Sequence, residues 1–114
     1  MVTQELLQPK YNYNIIMHDQ LTFEWDEAKN RENRRKHGIS FEEAATVFVD
    51  ENARIIGDPD HSEDEERFIL MGLSHNLNVL VVCHCYRQQD RIIRIISARC
   101  ADKGEKRDYR EHLT

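Results

Sequence analysis

The stretch "NVLVVCHCYRQQDRIIRIISAR", residues 78–99, constrains the fold more than any other part of the chain. Both halves are dominated by Val, Ile, Leu and Cys, residue types that suit a pleated, half-buried surface. The polar link "RQQD" between them is of hairpin length. Two long strands cannot bury their apolar faces alone, so the chain must supply a wider sheet and a covering layer. "ARIIGDP" (53–59) and "RFILMGLS" (67–74) read as two further strands, the first stopped by Asp58-Pro59 and the second joined to the long hairpin through "HNLN". These short connections predict a four-stranded antiparallel meander.

Upstream the period changes from two to 3.6. In "FEWDEAKNRENRRKHG" (23–38), Phe23 and Trp25 alternate ahead of a helix. Asp26 is placed to cap its N-terminus, and Gly38 to end it after a basic last turn of Arg34, Arg35 and Lys36. "ISFEEAATVF" (39–48) opens with Ser40 followed by Glu43, a capping-box pattern, and carries an apolar stripe of Phe41, Ala44, Ala45, Val47 and Phe48. After Ala101, "DKGEKRDYREHL" predicts a polar C-terminal helix. The fold class is therefore α+β: two N-terminal helices, a four-stranded antiparallel meander and a C-terminal helix. Residues 1–22, with Pro9 and a "YNYN" run, read as a flexible or partner-docked extension. Residues 23–114 read as one domain, as a chain of 114 residues allows.

No stretch approaches the ~20 apolar residues that span a bilayer. The first residues lack the basic-then-apolar pattern of a secretory leader. Three cysteines, an odd number, suit a reducing cytoplasm better than a disulfide framework. The formal net charge of −5 would count against a nucleic-acid partner. Its distribution says otherwise. Residues 50–66 hold eight acids and one base, whereas residues 87–110 hold eight bases and four acids, and residues 26–38 are also net positive.

Three arginines, Arg91, Arg94 and Arg99, interrupt the strand formed by Ile92, Ile93, Ile95 and Ile96. A guanidinium is permanently charged and presents a planar fork that matches phosphate oxygens, so several on one meander can clamp a phosphate. Strict alternation puts Arg94 on the face opposite Arg91 and Arg99. On that reading Arg99 reaches a shared site only from the strand end, Arg94 is the principal candidate, and Arg91 is a turn charge. Arg67 opens the second strand. Lys36 and His37 lie at a helix end beside a glycine turn, where they either compensate the helix dipole or act on a phosphate and a proton. Lys103, Lys106, Arg107 and Arg110 form one basic stripe on the last helix, with Tyr109 beside it. Cys83 and Cys85 share a strand face and His84 takes the other, so no tetrahedral metal site forms from them unaided. The acidic loop 58–66, with His61, lacks the glycine and ligand rhythm of a calcium loop. No metal or cofactor is implied.

With these segments placed, the chain resembles the BrnT toxin family, ribonucleases of bacterial type II toxin–antitoxin pairs. The resemblance is carried by "FEWDEAKNRENRRKHGISFEEAATVF" (23–48), "DEERFILMGLS" (64–74), "LVVCHCYRQQDRIIRIISAR" (80–99) and "KRDYRE" (106–111). It implies a RelE-like fold and a metal-independent RNA endonuclease that arrests growth in the cytoplasm. It also implies a BrnA-like ribbon-helix-helix antitoxin, through which alone operator DNA is reached; a homodimer is compatible with it. The residues that match the family's catalytic positions are Lys36, Arg67, Arg94, Arg99 and Tyr109, with His37, Arg107 and Arg110 as substrate contacts. Cleavage through the RNA 2′-hydroxyl needs a base, cations for the phosphorane and an acid. The arginines and lysine fit the middle task; Lys36, His37, Glu66 and Tyr109 all remain candidates for base and acid. The alternative is a non-catalytic relative that keeps only antitoxin or nucleic-acid binding.

Overall fold

The isoleucine-rich hairpin forms as its composition dictates, and the rest of the sheet is assembled on it. A computed structural model describes residues 13–18, 21–57 and 66–113. In chain order the elements are β1 (Tyr13–His18), β2 (Leu21–Asp26), α1 (Glu27–His37), α2 (Phe41–Thr46) with a 3-10 turn (Val47–Val49), β3 (Arg54–Ile56), β4 (Phe68–Leu73), β5 (Val79–Arg87), β6 (Ile92–Cys100) and α3 (Lys103–His112). Residues 58–65 of the acidic loop and the first twelve residues lie outside the described part.

The α+β class holds, but the four-stranded antiparallel sheet is corrected. The sheet has six strands in the order β1-β2-β6-β5-β4-β3, and it is mixed, because β2 runs parallel to β6. Two strands, not a helix, open the described fold. The physical reason lies in Phe23 and Trp25, both fully buried. Leu21, Phe23 and Trp25 alternate with Thr22, Glu24 and Asp26, the pattern of a strand with one face on the core, and a domain start set at residue 23 cuts that strand in two. Leu21 and Thr22 belong to the same strand, and Tyr13–His18 pairs with it antiparallel at the sheet edge.

Both sheet faces carry a core. On one, Phe23, Trp25, Leu80, Val82, Ile93, Ile95 and Ala98 pack under Phe41, Ala44, Ala45 and Val47 of α2 and its extension. On the other, Met71, Val81, Ala101 and Tyr109 form a smaller cluster beneath α3. At Gly72 on β4, a Cβ would come within 2.8 Å of both Val47 and Ala53, so a side chain there is excluded.

The two faces are set by a bulge in β6. Cys83 of β5 lies opposite Ser97 and His84 opposite Ile95, which leaves Ile96 as an extra residue. Ile93, Ile95 and Ala98 consequently all enter the same core. Arg94 before the bulge, and Ser97 and Arg99 after it, therefore share the opposite face. This overturns the expectation that alternation separates Arg94 from Arg99. The extra residue resets the phase, which periodicity within an unbroken isoleucine run does not reveal.

The helices follow their capping signals. Asp26 accepts from the Ala28 and Lys29 amides, and Gly38, at φ 73°, takes the left-handed conformation that ends α1. Ser40 caps α2 by accepting from Glu43 N, but the expected reciprocal bond is absent. The Glu43 carboxylate instead accepts from Ser74 Oγ at 2.6 Å and Asn78 Nδ2 at 2.9 Å. Two buried asparagines of α1 join the layers. Asn30 Oδ1 accepts from the Phe41 amide at 2.8 Å. Asn33 Nδ2 donates to the carbonyls of Ile39 and Ala98, each at 2.8 Å, and its Oδ1 accepts from the Ala98 amide at 3.1 Å.

Replacing Asn33 strands these buried backbone groups. Asn33→Ala is expected to lower unfolding free energy by about 2–4 kcal/mol, the range for orphaning several buried polar groups. Urea denaturation followed by circular dichroism measures it.

Candidate active site

The phase reset by the bulge gathers charged and polar side chains on the α3 face of the sheet. Ile69, Val81 and Cys83 floor a cleft of about 370 Å³, and Ser97 and Arg99 enter it from β6. Its rim is made by His37, Arg67 and Glu105. Each arrives for a local reason. His37 is the last residue of α1, and the Asn33 bonds seat that turn over β6. Arg67 lies two residues before Ile69, so strand alternation aims both at the same face. Glu105 is the third residue of α3, placed by the Asp102 cap.

Arg99 is held by a two-pronged ion pair. Its Nη1 donates to Glu105 Oε1 at 2.9 Å and its Nη2 to Glu105 Oε2 at 3.0 Å. Nη1 also donates to the Cys100 carbonyl at 3.3 Å. Glu105 is itself fixed by a capping box: its Oε1 accepts from the Asp102 amide at 2.8 Å, and Asp102 accepts from the Glu105 amide at 2.8 Å. The hydrogen bonds from Arg99 outweigh burial and hold the Glu105 carboxyl below the usual range, while Glu105 raises the arginine further. Both are charged across the ordinary pH range.

Of the catalytic and substrate-binding candidates read from the sequence, His37, Arg67 and Arg99 meet in this cleft, and Lys36, Arg94, Arg107, Tyr109 and Arg110 lie outside its lining. Arg94 is on the same face but is engaged further along β6, where Nη1 donates to Glu24 Oε2 at 3.0 Å with both side chains 13% exposed. Lys36 is exposed on α1, 3.9 Å from Glu32. Arg107 and Arg110 are exposed on α3, and Glu66 is exposed beside Arg67. Tyr109 is buried, and its hydroxyl donates to Asp50 Oδ2 at 2.6 Å. Cys83 faces the cleft, whereas His84 is buried in the opposite core among the rings of Phe48, Phe68 and Tyr86. Burial there pushes its pKa down to about 4. Among the described residues, no three ligand-type side chains converge as a metal site.

Sequence reasoning passed over Glu105 and Ser97. The signal for Glu105 was present, since Asp102 and Glu105 repeat the capping-box spacing read at Ser40 and Glu43. Ser97 was hidden by the bulge. Chemically, two guanidinium groups, an imidazole and a hydroxyl around an apolar floor can bind a phosphodiester and move a proton beside it.

The sequence of residues 25–105 matches the family described as "Ribonuclease toxin, BrnT, of type II toxin-antitoxin system". The chain belongs to the BrnT family. The match runs from Trp25 to Glu105 and so includes every rim residue of the cleft. The fold is similar to the crystal structure of the Brucella abortus ribonuclease toxin BrnT, with a TM-score of 0.53 and 22% identity, over 69% of this chain and 94% of that one. At that identity the likeness concerns the BrnT fold alone. No curated protein matches. Among the described residues, no helix of this BrnT chain is long and apolar enough to cross a membrane.

Tyr109 ties α3, and with it Glu105, to the rest of the protein. Burial raises the Asp50 carboxyl, but hydrogen bonds from the Leu73 amide, the Tyr109 hydroxyl and the Asn52 amide more than offset this and leave it low. Burial and the Asp50 carboxylate push the Tyr109 phenol up to about 12. A lowered acid stabilises the fold above its ordinary value of 3.8 and loses that contribution as pH falls through the folded value. A raised phenol stabilises below its ordinary value of 10.0 and loses that contribution as pH climbs toward 12. Tyr109→Phe is therefore expected to cost about 1.5–3 kcal/mol at neutral pH, as for a bond to a charged group. The gap from wild type should close in strong acid, as urea unfolding at several pH values will show.

Proposed function

We propose that this protein is a ribonuclease toxin of a type II toxin–antitoxin system, cleaving RNA in the cleft between β6, the end of α1 and the start of α3. The observation that carries the reading is the convergence of Arg67, Arg99 and His37 on one cleft of a protein whose net charge is −5. A family match to ribonuclease toxins supports it.

In this reading the RNA backbone lies across the apolar floor with a phosphate between the two guanidinium groups. The 2′-hydroxyl attacks the neighbouring phosphorus as a base takes its proton. Negative charge grows on the non-bridging oxygens, where Arg67 and Arg99 stabilise it. The 5′-oxygen then leaves with a proton, giving a 2′,3′-cyclic phosphate and a free 5′-hydroxyl. His37 is the proton carrier, since imidazole is the side chain that changes charge near neutral pH. The guanidinium groups supply the positive charge, so the mechanism calls for no metal ion.

Lys36, exposed on α1, and Arg107 and Arg110, exposed on α3, contact flanking phosphates. Arg94 and Tyr109 act at one remove, by holding β6 to β2 and α3 to the core. In the cell, expression of the toxin alone arrests growth. A BrnA-like ribbon-helix-helix antitoxin neutralises it by covering the basic cleft, and operator DNA is reached only through that partner.

Purified protein, freed of antitoxin and incubated with RNA in EDTA, is expected to cut the RNA. Arg99→Ala and His37→Ala should each lower the rate by about 100-fold or more, the scale of losing one charge-stabilising or proton-transferring group. Arg107→Ala should lower it only a few-fold. If wild-type protein shifts RNA on a gel but leaves it intact, the chain is a binding module and the catalytic reading fails.

A further inference from the structure

A guanidinium offers five N–H donors, and the partners of Arg99 use them unequally. Both hydrogens of Nη1 are taken, one by Glu105 Oε1 and one by the Cys100 carbonyl, and one hydrogen of Nη2 goes to Glu105 Oε2. Among the described residues no partner takes Nε–H or the second Nη2 hydrogen, which lie along one edge of the plane and point the same way. That edge matches two oxygens of a phosphate. The arginine side chain is 44% exposed and lines the cleft, so a ligand can reach it.

We propose that Glu105 is a positioning residue of the RNA site: it holds the Nη1–Nη2 end of Arg99 and so turns the Nε–Nη2 edge toward the substrate phosphate. The inference rests on the ribonuclease reading above and deepens it. Glu105 suits the task because it is not free to swing. Its Oε1 is tied to the Asp102 amide, and α3 is moored by Tyr109 on Asp50. A cap alone needs only one carboxylate oxygen; here the second is spent on Arg99 Nη2. A two-pronged arginine–carboxylate pair adds geometric specificity as well as energy, so it fixes the orientation of the guanidinium. Charge alone argues the opposite way, since a carboxylate in the cleft repels a phosphate. The two accounts therefore predict opposite consequences of removing it.

The test measures kcat and KM for RNA cleavage by the full chain and its Glu105→Gln, Arg99→Lys and doubly substituted forms. Glutamine keeps an oxygen for the Asp102 amide, and lysine cannot present a fork. Glu105→Gln is expected to lower kcat about tenfold with KM unchanged or lower. In the Arg99→Lys background the same change should alter kcat less than about twofold. An equal loss in both backgrounds, a change confined to KM, or no loss would overturn the proposal. If wild-type protein does not cut RNA, the ribonuclease reading fails and takes this one with it. If it cuts and Glu105 is indifferent, only the positioning role is lost.

Discussion

Beyond Arg94, β2 no longer pairs with β6, yet β6 continues to Cys100 with that edge of its backbone uncovered. Asn33 covers it. A carboxamide has one donor group and one acceptor group in a plane, which is what a strand neighbour would offer at a single residue, and Asn33 uses both on Ala98. The remaining amide hydrogen goes to Ile39, past the glycine turn. One side chain thus closes the sheet edge, fixes the distance from α1 to β6 and sets the entry into α2. It can do so only from inside the protein, where water does not compete for its bonds.

The cleft follows from that placement. α1 ends where β6 is uncovered, so its last residue, His37, stands over the strand that carries Ser97 and Arg99. The chain then folds back after Cys100 into α3, whose first turn brings a carboxylate to Arg99. Each charged group in the cleft is thus borne at the end of an element whose interior is anchored in one of the two cores. Such anchoring limits the freedom that a binding site would otherwise have to give up on meeting its ligand.

Much of this was legible in the sequence. The hairpin of β5 and β6, the boundaries of α1 at Asp26 and Gly38, and the charge segregation all follow from local chemistry, because caps, turns and β-branched runs act over a few residues. Two features were not. β2 carries its period over Leu21, Phe23 and Trp25 but was split by a domain start set at residue 23, and its parallel pairing with β6 is a contact across about 70 residues that no local pattern encodes. The bulge at Ile96 was invisible for a different reason. Four isoleucines around one arginine read equally well in either phase, and only the packing of Ala98 under Asn33 decides between them. The arginine favoured from strict alternation, Arg94, is the one engaged by Glu24, while Arg99 lines the cleft.

The capping box of α3 ties two processes that proteins usually keep apart. Glu105 starts the helix and also holds a cleft arginine, so the carboxylate that nucleates the last element of the chain completes the cleft with the same bonds. Helix ends fray, but here the secured end faces the cleft and Tyr109 clamps the helix further along, which leaves the final turn free to open without disturbing Arg99. A chain emerging from the ribosome would hold an unfinished cleft until α3 had been made and docked.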